Sequence, residues 1–297
     1  MIPLFVLMGL LPASFLTAQK IIPLYEGSIP NASPCDPNEI FPAPGRVAHI
    51  TTPTLTAFFP AHSDSLLSAV IICPGGSYAR LSIDPEGNEV AKEFNRMGIA
   101  AFVLKYRVPN DSCMTHKEIV PLQDAQRAIQ IVRGHATEWN INPSKIGIAG
   151  FSAGGHLAST TGTHFYDVIE NTGHVRLQPD FMILVYPVIS FTDELAHQGS
   201  RDNLLGKDPN PSWIEIYSNE RQVTARTPPT YLVAAADDKT VKVENSIAFF
   251  QALQKYKVPS ELHIYEKGGH GFALHNKTTK DYWFDNMIHW MEANGLK

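Results

Sequence analysis

The sequence has few of the features that mark a metal centre or a nucleic-acid-binding surface. Only 3 of its 297 residues are cysteines, and no Cys-x-x-Cys pair or Cys/His cluster with zinc-ligand spacing occurs. An HExxH motif and clustered carboxylates are also missing, so we expect neither a metal nor an organic cofactor. The formal net charge is -5 and no basic stripe is present, which argues against nucleic acid as a partner.

Long apolar runs are missing beyond the N-terminus. Residues 2–16 are apolar and lead into small and polar residues near Ala18 and Gln19. This pattern is typical of a secretory signal peptide, and the run is short for a membrane span, although no Lys or Arg precedes it. We predict a signal peptide over residues 1–19, a secreted or periplasmic protein, and no membrane contact after cleavage.

A segment rich in proline and asparagine follows, and we interpret residues 20–45 as an extended N-terminal arm. It contains Cys35, which could pair with Cys113 in an oxidising compartment, whereas Cys73 lies in an apolar run. The sequence leaves open whether Cys35 and Cys113 meet.

Apolar runs alternate with amphipathic segments over residues 46–297, which we predict to form one domain. Runs rich in β-branched residues predict buried strands at 69–74, 99–107, 145–152, 181–187, 230–236 and 260–266. Helical spacing predicts helices at 85–97, 122–139, 152–162, 241–256 and 280–293. Together they indicate an α/β fold with a mostly parallel sheet covered on both faces. Residues 191–227 interrupt the alternation, and we interpret them as a small cap insertion above the strand ends.

The strongest chemical signal is the G-x-S-x-G motif at residues 150–154. A predicted strand precedes it and a predicted helix follows it, which is the setting of a nucleophile elbow with Ser152 at the turn. A serine hydroxyl needs an adjacent base. His270 lies in the glycine-rich loop KGGHGF after the last predicted strand, from which it could reach Ser152. His156 is the rival, but its place in the elbow helix favours a packing role.

An acyl-transfer site also needs an acid that orients the histidine and amides that bind the oxyanion, and their expected positions along the chain indicate candidates. Asp237 and Asp238 come directly after a predicted strand, between the serine and the histidine in the chain. We favour Asp238 as the acid because the Asp-x-x-Val spacing places it at the turn before a helix, and Asp237 stays the alternative. The turn CPGGSY follows the first buried strand, where oxyanion donors belong, so the candidate amides are those of Gly76, Ser77 and Ala153.

Several segments in the same order resemble the secreted bacterial α/β-hydrolase esterases, which include acetyl xylan esterases and related carbohydrate and feruloyl esterases. They are CPGGSY, EGNEVAKEFNRMGIAAFVLKYR, LQDAQRAIQIVRGHATEWNINPSKIGIAGFSAGGHLAS, ADDKTVKVENS and ELHIYEKGGHGF. The resemblance runs from about Arg46 to the C-terminus. It implies an α/β-hydrolase fold, a triad of Ser152, Asp238 and His270, and the oxyanion donors named above. Ser77 departs from the family's usual glycine, and Lys242 from its usual proline.

We therefore predict a secreted serine carboxylesterase that removes short acyl groups, chiefly acetyl, from plant polysaccharides such as xylan or from oligosaccharides. Tyr78, Tyr186 and Trp213 are candidates for stacking on sugars, with ordinary packing as the alternative. A prolyl-oligopeptidase-like serine peptidase is a second hypothesis, although these 297 residues show no internal repeat that would predict the propeller of such enzymes. A non-catalytic carbohydrate- or protein-binding module on a hydrolase scaffold is a third.

Overall fold

The computed structural model describes residues 20–61, 63 and 65–297, so the predicted signal peptide lies outside the described residues. The strands of the large sheet are β1 (Lys20–Pro23), β4 (Thr54–Phe58), β5 (Leu67–Cys73), β7 (Ala100–Lys105), β8 (Ile141–Phe151), β9 (Met182–Val185), β10 (Thr230–Ala235) and β11 (Ser260–Tyr265). A second sheet contains β2 (Ile40–Ala43), β3 (Arg46–Ala48) and β6 (Arg80–Leu81). The helices are α1 (Glu89–Arg96), α2 (Val120–Gly134), α3 (Ala153–Thr163), α4 (Gln198–Leu205), α5 (Pro211–Ile216), α6 (Glu244–Lys255) and α7 (Trp283–Ala293).

The large sheet has the strand order β1-β4-β7-β5-β8-β9-β10-β11. Neighbouring strands from β7 to β11 in this order run parallel. At one edge, β4 pairs antiparallel with β7, and β1 pairs antiparallel with β4. Parallel strands need crossover connections, and the amphipathic segments between the strands supply them as helices. The mostly parallel α/β sheet predicted from the alternating pattern is confirmed, and so is the α/β-hydrolase fold that the resemblance implies.

The two faces of the sheet are both covered, which explains why its central strands are apolar throughout. Successive side chains of a strand point to opposite faces. Ile71 of β5 accordingly belongs to the core under α2, α3 and α6, whereas Val70 and Ile72 belong to the core under α1 and α7. Every residue of β5 is buried, so neither face tolerates a polar run.

The N-terminal arm is part of the folded body. β1 pairs antiparallel with β4 at the edge of the large sheet, and a disulfide joins Cys35 to Cys113 with Cα atoms 5.2 Å apart. The pairing left open by the sequence is therefore present. Cys73 is buried in β5 with a free thiol.

The predicted cap segment folds between β9 and β10 into α4, α5 and a 3-10 turn (Asn219–Arg221). It contacts the loop after β5, because the side-chain amide of Asn203 donates to the carbonyl oxygen of Ser77 at 2.8 Å. No helix within the described ranges has the length and apolar character needed to cross a bilayer.

Candidate active site

Ser152 lies at the turn between β8 and α3 with φ 51° and ψ -119°, a backbone conformation that few non-glycine residues adopt. The flanking glycines have no room for a side chain. A Cβ on Gly150 would lie 2.2 Å from the carbonyl oxygen of Gly154, and one on Gly154 would lie 2.0 Å from that of Cys73. The motif therefore needs both glycines for close backbone approach, as an elbow requires.

His270 reaches this serine from the loop after β11. Its Nε2 is 2.8 Å from Ser152 Oγ, and its Nδ1 is 2.7 Å from Asp238 Oδ2. The Asp238 side chain is only 1% exposed and that of His270 is 19% exposed. The other oxygen of Asp238 accepts hydrogen bonds from the amides of Thr240 and Val241 at 2.8 and 2.9 Å. Such a chain can hold an imidazole in one tautomer and stabilise its charged form.

The two adjacent aspartates have different contacts. Asp237 does not bond to the imidazole; its Oδ1 accepts a hydrogen bond from the amide of Gly269 at 2.7 Å. It therefore anchors the loop that carries His270, while Asp238 contacts the ring itself.

His156, the rival base, is fully buried. Its Nδ1 is 2.9 Å from the Tyr78 hydroxyl, its Nε2 is 2.9 Å from the carbonyl oxygen of Tyr217, and its ring stacks on Phe191 at 4.2 Å. Burial lowers the pKa of His156 to about 3. Both ring nitrogens are occupied away from the serine, so this histidine has the packing role that its helix position favours.

The candidate oxyanion amides are free to bind a ligand. Across the described part of the chain, the N–H groups of Gly76, Ser77 and Ala153 make no backbone or side-chain hydrogen bond, whereas Gly75 N–H donates to Glu86 Oε2 at 2.8 Å. Ser77 has φ 61°, the left-handed region that favours glycine. The hydrogen bond that Asn203 of the cap segment donates to the carbonyl oxygen of Ser77 helps to hold this conformation, although Ser77 stands where the family usually has glycine.

A buried carboxylate that the sequence analysis missed links the two loops beside the serine. Besides Gly75 N–H, Glu86 accepts the Tyr186 hydroxyl at 2.9 Å, and that hydroxyl accepts the amide of Ala273 at 3.0 Å. Burial raises the pKa of Glu86, and the hydrogen bonds from Tyr186 and Gly75 oppose this. No local pattern indicates this role, because Tyr186 lies 100 positions from Glu86 in the chain.

The expectation that Tyr78 and Tyr186 stack on sugars is wrong, whereas the one for Trp213 stays a prediction. Tyr78 and Tyr186 are each 1% exposed and their hydroxyls bond to His156 and Glu86, so neither ring presents a face to a ligand. Trp213 is 38% exposed but lines a separate pocket that does not contain Ser152.

Ser152 and His270 line an open cleft of about 390 Å³, together with two of the candidate amide donors, Gly76 and Ser77. This volume suits a small ligand or part of a larger one. A carbonyl carbon at Ser152 Oγ would have its oxygen near the free amides, which is the arrangement that acyl transfer needs.

A metal-like grouping exists elsewhere in the described residues, where Cys35, His49 and Cys113 bring ligand atoms together. The disulfide between the two cysteines removes the thiolates that would bind an ion.

Comparisons with known proteins match this chain to esterase families. The BD-FAE family matches residues 55–253 and the dienelactone hydrolase family matches residues 215–293. The acetylxylan esterase of Xylanibacter ruminicola is 38% identical over 210 residues, which are 69% of this chain and 41% of that protein. The endo-1,4-beta-xylanase B of Butyrivibrio fibrisolvens is 36% identical over 229 residues, which are 75% of this chain and 35% of that protein. The chain thus spans less than half the length of these two relatives.

A solved structure provides a match over nearly the whole chain. The acetyl ester-xyloside bifunctional hydrolase of Caldicellulosiruptor lactoaceticus is 39% identical with a TM-score of 0.81, covering 93% of this chain and 97% of that one. Because the family match covers most of the domain and carries the serine elbow, the chain belongs to the BD-FAE family of α/β-hydrolase esterases.

Proposed function

We propose that this serine esterase removes short acyl groups, chiefly acetyl, from plant polysaccharides such as xylan or from their oligosaccharides. The observation that carries the proposal is the continuous chain Asp238–His270–Ser152, with contacts of 2.7 and 2.8 Å, beside an open cleft. The similarity to an acetylxylan esterase, a xylanase and an acetyl ester-xyloside hydrolase supports the substrate class.

The proposed reaction has two steps. His270 Nε2 takes the proton of Ser152 Oγ as the oxygen attacks the ester carbonyl, and Asp238 stabilises the resulting imidazolium. The amides of Gly76, Ser77 and Ala153 donate to the developing oxyanion. The alcohol leaves with the proton from His270. His270 then takes a proton from water as the water attacks the acyl-enzyme, and it returns that proton to Ser152 Oγ as the carboxylic acid leaves.

The test of the chemistry is hydrolysis of p-nitrophenyl acetate by Ser152→Ala. We expect the rate to fall by about 10⁴-fold or more, because a triad without its nucleophile keeps only the residual catalysis of the rest of the site. A circular dichroism spectrum equal to that of the wild type would show that the fold is kept. Activity that survives in this folded variant would contradict the proposal.

The test of the substrate is a screen for released acid over acetylated xylan, mannan and pectin and over feruloylated oligosaccharides. We expect acetate from xylan oligomers to be released fastest. Release of ferulate at a higher kcat/KM than acetate would assign a different acyl group to the same site.

We also propose that the protein is secreted or periplasmic. The Cys35–Cys113 disulfide supports this, because such bonds persist in oxidising compartments. N-terminal sequencing of protein produced in its natural host should give a first residue near position 19 or 20. A mature chain that begins at Met1 would contradict signal cleavage.

A further inference from the structure

The small sheet beside the cleft carries two arginines on one face. Antiparallel pairing matches Val47 with Leu81 and Ala48 with Arg80, so Arg46 and Arg80 are diagonal neighbours on the same face of the β3–β6 ladder. Val47 and Leu81 point the other way and are 2% and 0% exposed. The alternation of the strands therefore directs both guanidinium groups away from the core.

That outer face lines the cleft of the serine. Arg46, Arg80 and Ser82 all border the same cavity as Ser152 and His270. Arg80 also belongs to the oxyanion loop, because its amide donates to the carbonyl oxygen of Gly76 at 3.2 Å. The two arginines thus border the cleft in which an ester carbonyl would bind.

These two arginines differ from the other arginines of the chain. Of the ten arginines in the sequence, six form ion pairs with carboxylates. Arg127 donates a hydrogen bond to the carbonyl oxygen of Leu24 at 2.8 Å, and Arg226 lies over the ring of Phe165 at 4.5 Å. Over residues 20–61, 63 and 65–297, the side chains of the two cleft arginines make no hydrogen bond or ion pair.

The carboxylate that lines the cleft, Glu86, forms no ion pair with either arginine in the described residues. Both its oxygens accept hydrogen bonds, from Gly75 N–H and from the Tyr186 hydroxyl. Burial raises its pKa, and the charge of Arg46 is a smaller influence that lowers it. Two like charges on neighbouring positions of one sheet face repel each other. An anion between Arg46 and Arg80 would remove that repulsion and satisfy their donors.

We propose that Arg46 and Arg80 form a carboxylate-binding subsite, so that the preferred substrate carries an acidic group close to its ester. This inference rests on the proposed esterase function and adds the charge of its substrate. The planar guanidinium group binds carboxylates through paired hydrogen bonds. Two sources supply this chemistry: a hexuronic acid residue on the acylated oligosaccharide, or a second carboxyl group on the acyl chain.

The experiment compares matched pairs of substrates that differ by one negative charge. The first pair is acetylated xylo-oligosaccharides of equal length with and without a hexuronic acid branch. The second is p-nitrophenyl hemisuccinate and p-nitrophenyl butyrate, in which the charge lies on the acyl side. We expect the wild type to prefer the charged member of one pair by about tenfold in kcat/KM, and the pair that shows the preference identifies the source.

The variant Arg46→Gln/Arg80→Gln should lower that preference to about one, and added salt should weaken it in the wild type. Arg96→Gln, which removes an exposed arginine outside the cleft, should retain it. Equal kcat/KM within both pairs, or a preference unchanged in the double variant, would overturn the subsite. Because the neutral members are still hydrolysed in that case, such a result would leave the esterase proposal intact, whereas loss of hydrolysis of all four substrates by the wild type would defeat the esterase proposal itself.

Discussion

His270 and His156 lie in two polar clusters near the same serine turn, and their surroundings differ in one essential respect. The His270 cluster, with Ser152 and Asp238, borders an open cleft. The cap cluster, with His156, Tyr78 and Tyr217, is buried where the cap segment packs on α3. Each of its three residues is no more than 2% exposed. Both imidazoles have two hydrogen-bond partners, so bonding alone does not distinguish them.

Access of solvent and ligand to the imidazole therefore separates a candidate base from a packing residue, whereas residue type and nearness to Ser152 in the chain do not. A general base must accept a proton and release it, which requires a charged form that the surroundings tolerate. Burial lowers the pKa of His156 to about 3, so it stays neutral at pH 7. His270 instead faces Asp238, whose carboxylate stabilises an imidazolium.

The most direct test of the difference between His270 and His156 is to replace each of them with glutamine. His270→Gln should lower kcat for p-nitrophenyl acetate by about 10⁴-fold or more, because no group remains to take the serine proton. His156→Gln should stay within roughly tenfold of the wild type, because its partners are not reacting groups. Equal losses in the two variants would mean that the cap cluster takes part in the chemistry.

The adjacent aspartates sharpen the comparison within the His270 cluster. Asp238→Asn should lower kcat by about 10⁴-fold, because an amide no longer stabilises the imidazolium or holds its tautomer. Asp237→Asn should cost less than about tenfold, because the amide oxygen can still accept the hydrogen bond from Gly269 N–H. A larger loss in Asp237→Asn than in Asp238→Asn, measured as steady-state kcat, would reverse the assignment.

Substitutions in the cap cluster should mainly lower the free energy of unfolding, whereas substitutions in the His270 cluster should mainly lower kcat. His156→Leu leaves the Tyr78 hydroxyl and the Tyr217 carbonyl without their buried partner, which costs about 1–3 kcal/mol for each unsatisfied group. Urea unfolding monitored by tryptophan fluorescence measures this loss. His270→Gln is the control, with an expected change within about 1 kcal/mol, because its side chain is partly exposed.

The cap cluster should also make the stability of the fold depend on pH. His156 binds a proton near pH 6.5 when unfolded but only near pH 3 when folded, because burial opposes its charge. The unfolded state therefore holds more protons between these values, and the free energy of unfolding falls as pH drops from about 6.5 towards 3. His164, whose pKa burial lowers to about 4, adds to this.

Urea unfolding of the wild type and of His156→Leu at several pH values measures this slope. Removing His156 should reduce it by up to about 1.4 kcal/mol per pH unit. An identical slope in both proteins would show that His156 does not bear the predicted shift.

Much of the fold could be predicted from local sequence patterns. Continuous apolar runs such as β5 indicate strands buried on both faces, and the spacing in α1 places Val90, Ala91 and Phe94 on one side. The serine turn could also be located from the motif, because neighbouring backbone lies too close to Gly150 and Gly154 for either to carry a Cβ atom. The roles of Ser152, Asp238 and His270 remain predictions until the variants are measured.

Local patterns in the chain were enough to predict the α/β alternation, the position of the sharp turn and the loop that carries His270, because these depend on residues close together in the chain. The folded arrangement was needed to see which aspartate contacts the imidazole, that Tyr78 and Tyr186 are buried, that Cys35 bonds to Cys113, and that Glu86 joins two loops. Those outcomes depend on contacts between residues far apart in sequence, and packing against distant partners fixes the orientation and solvent access of each side chain.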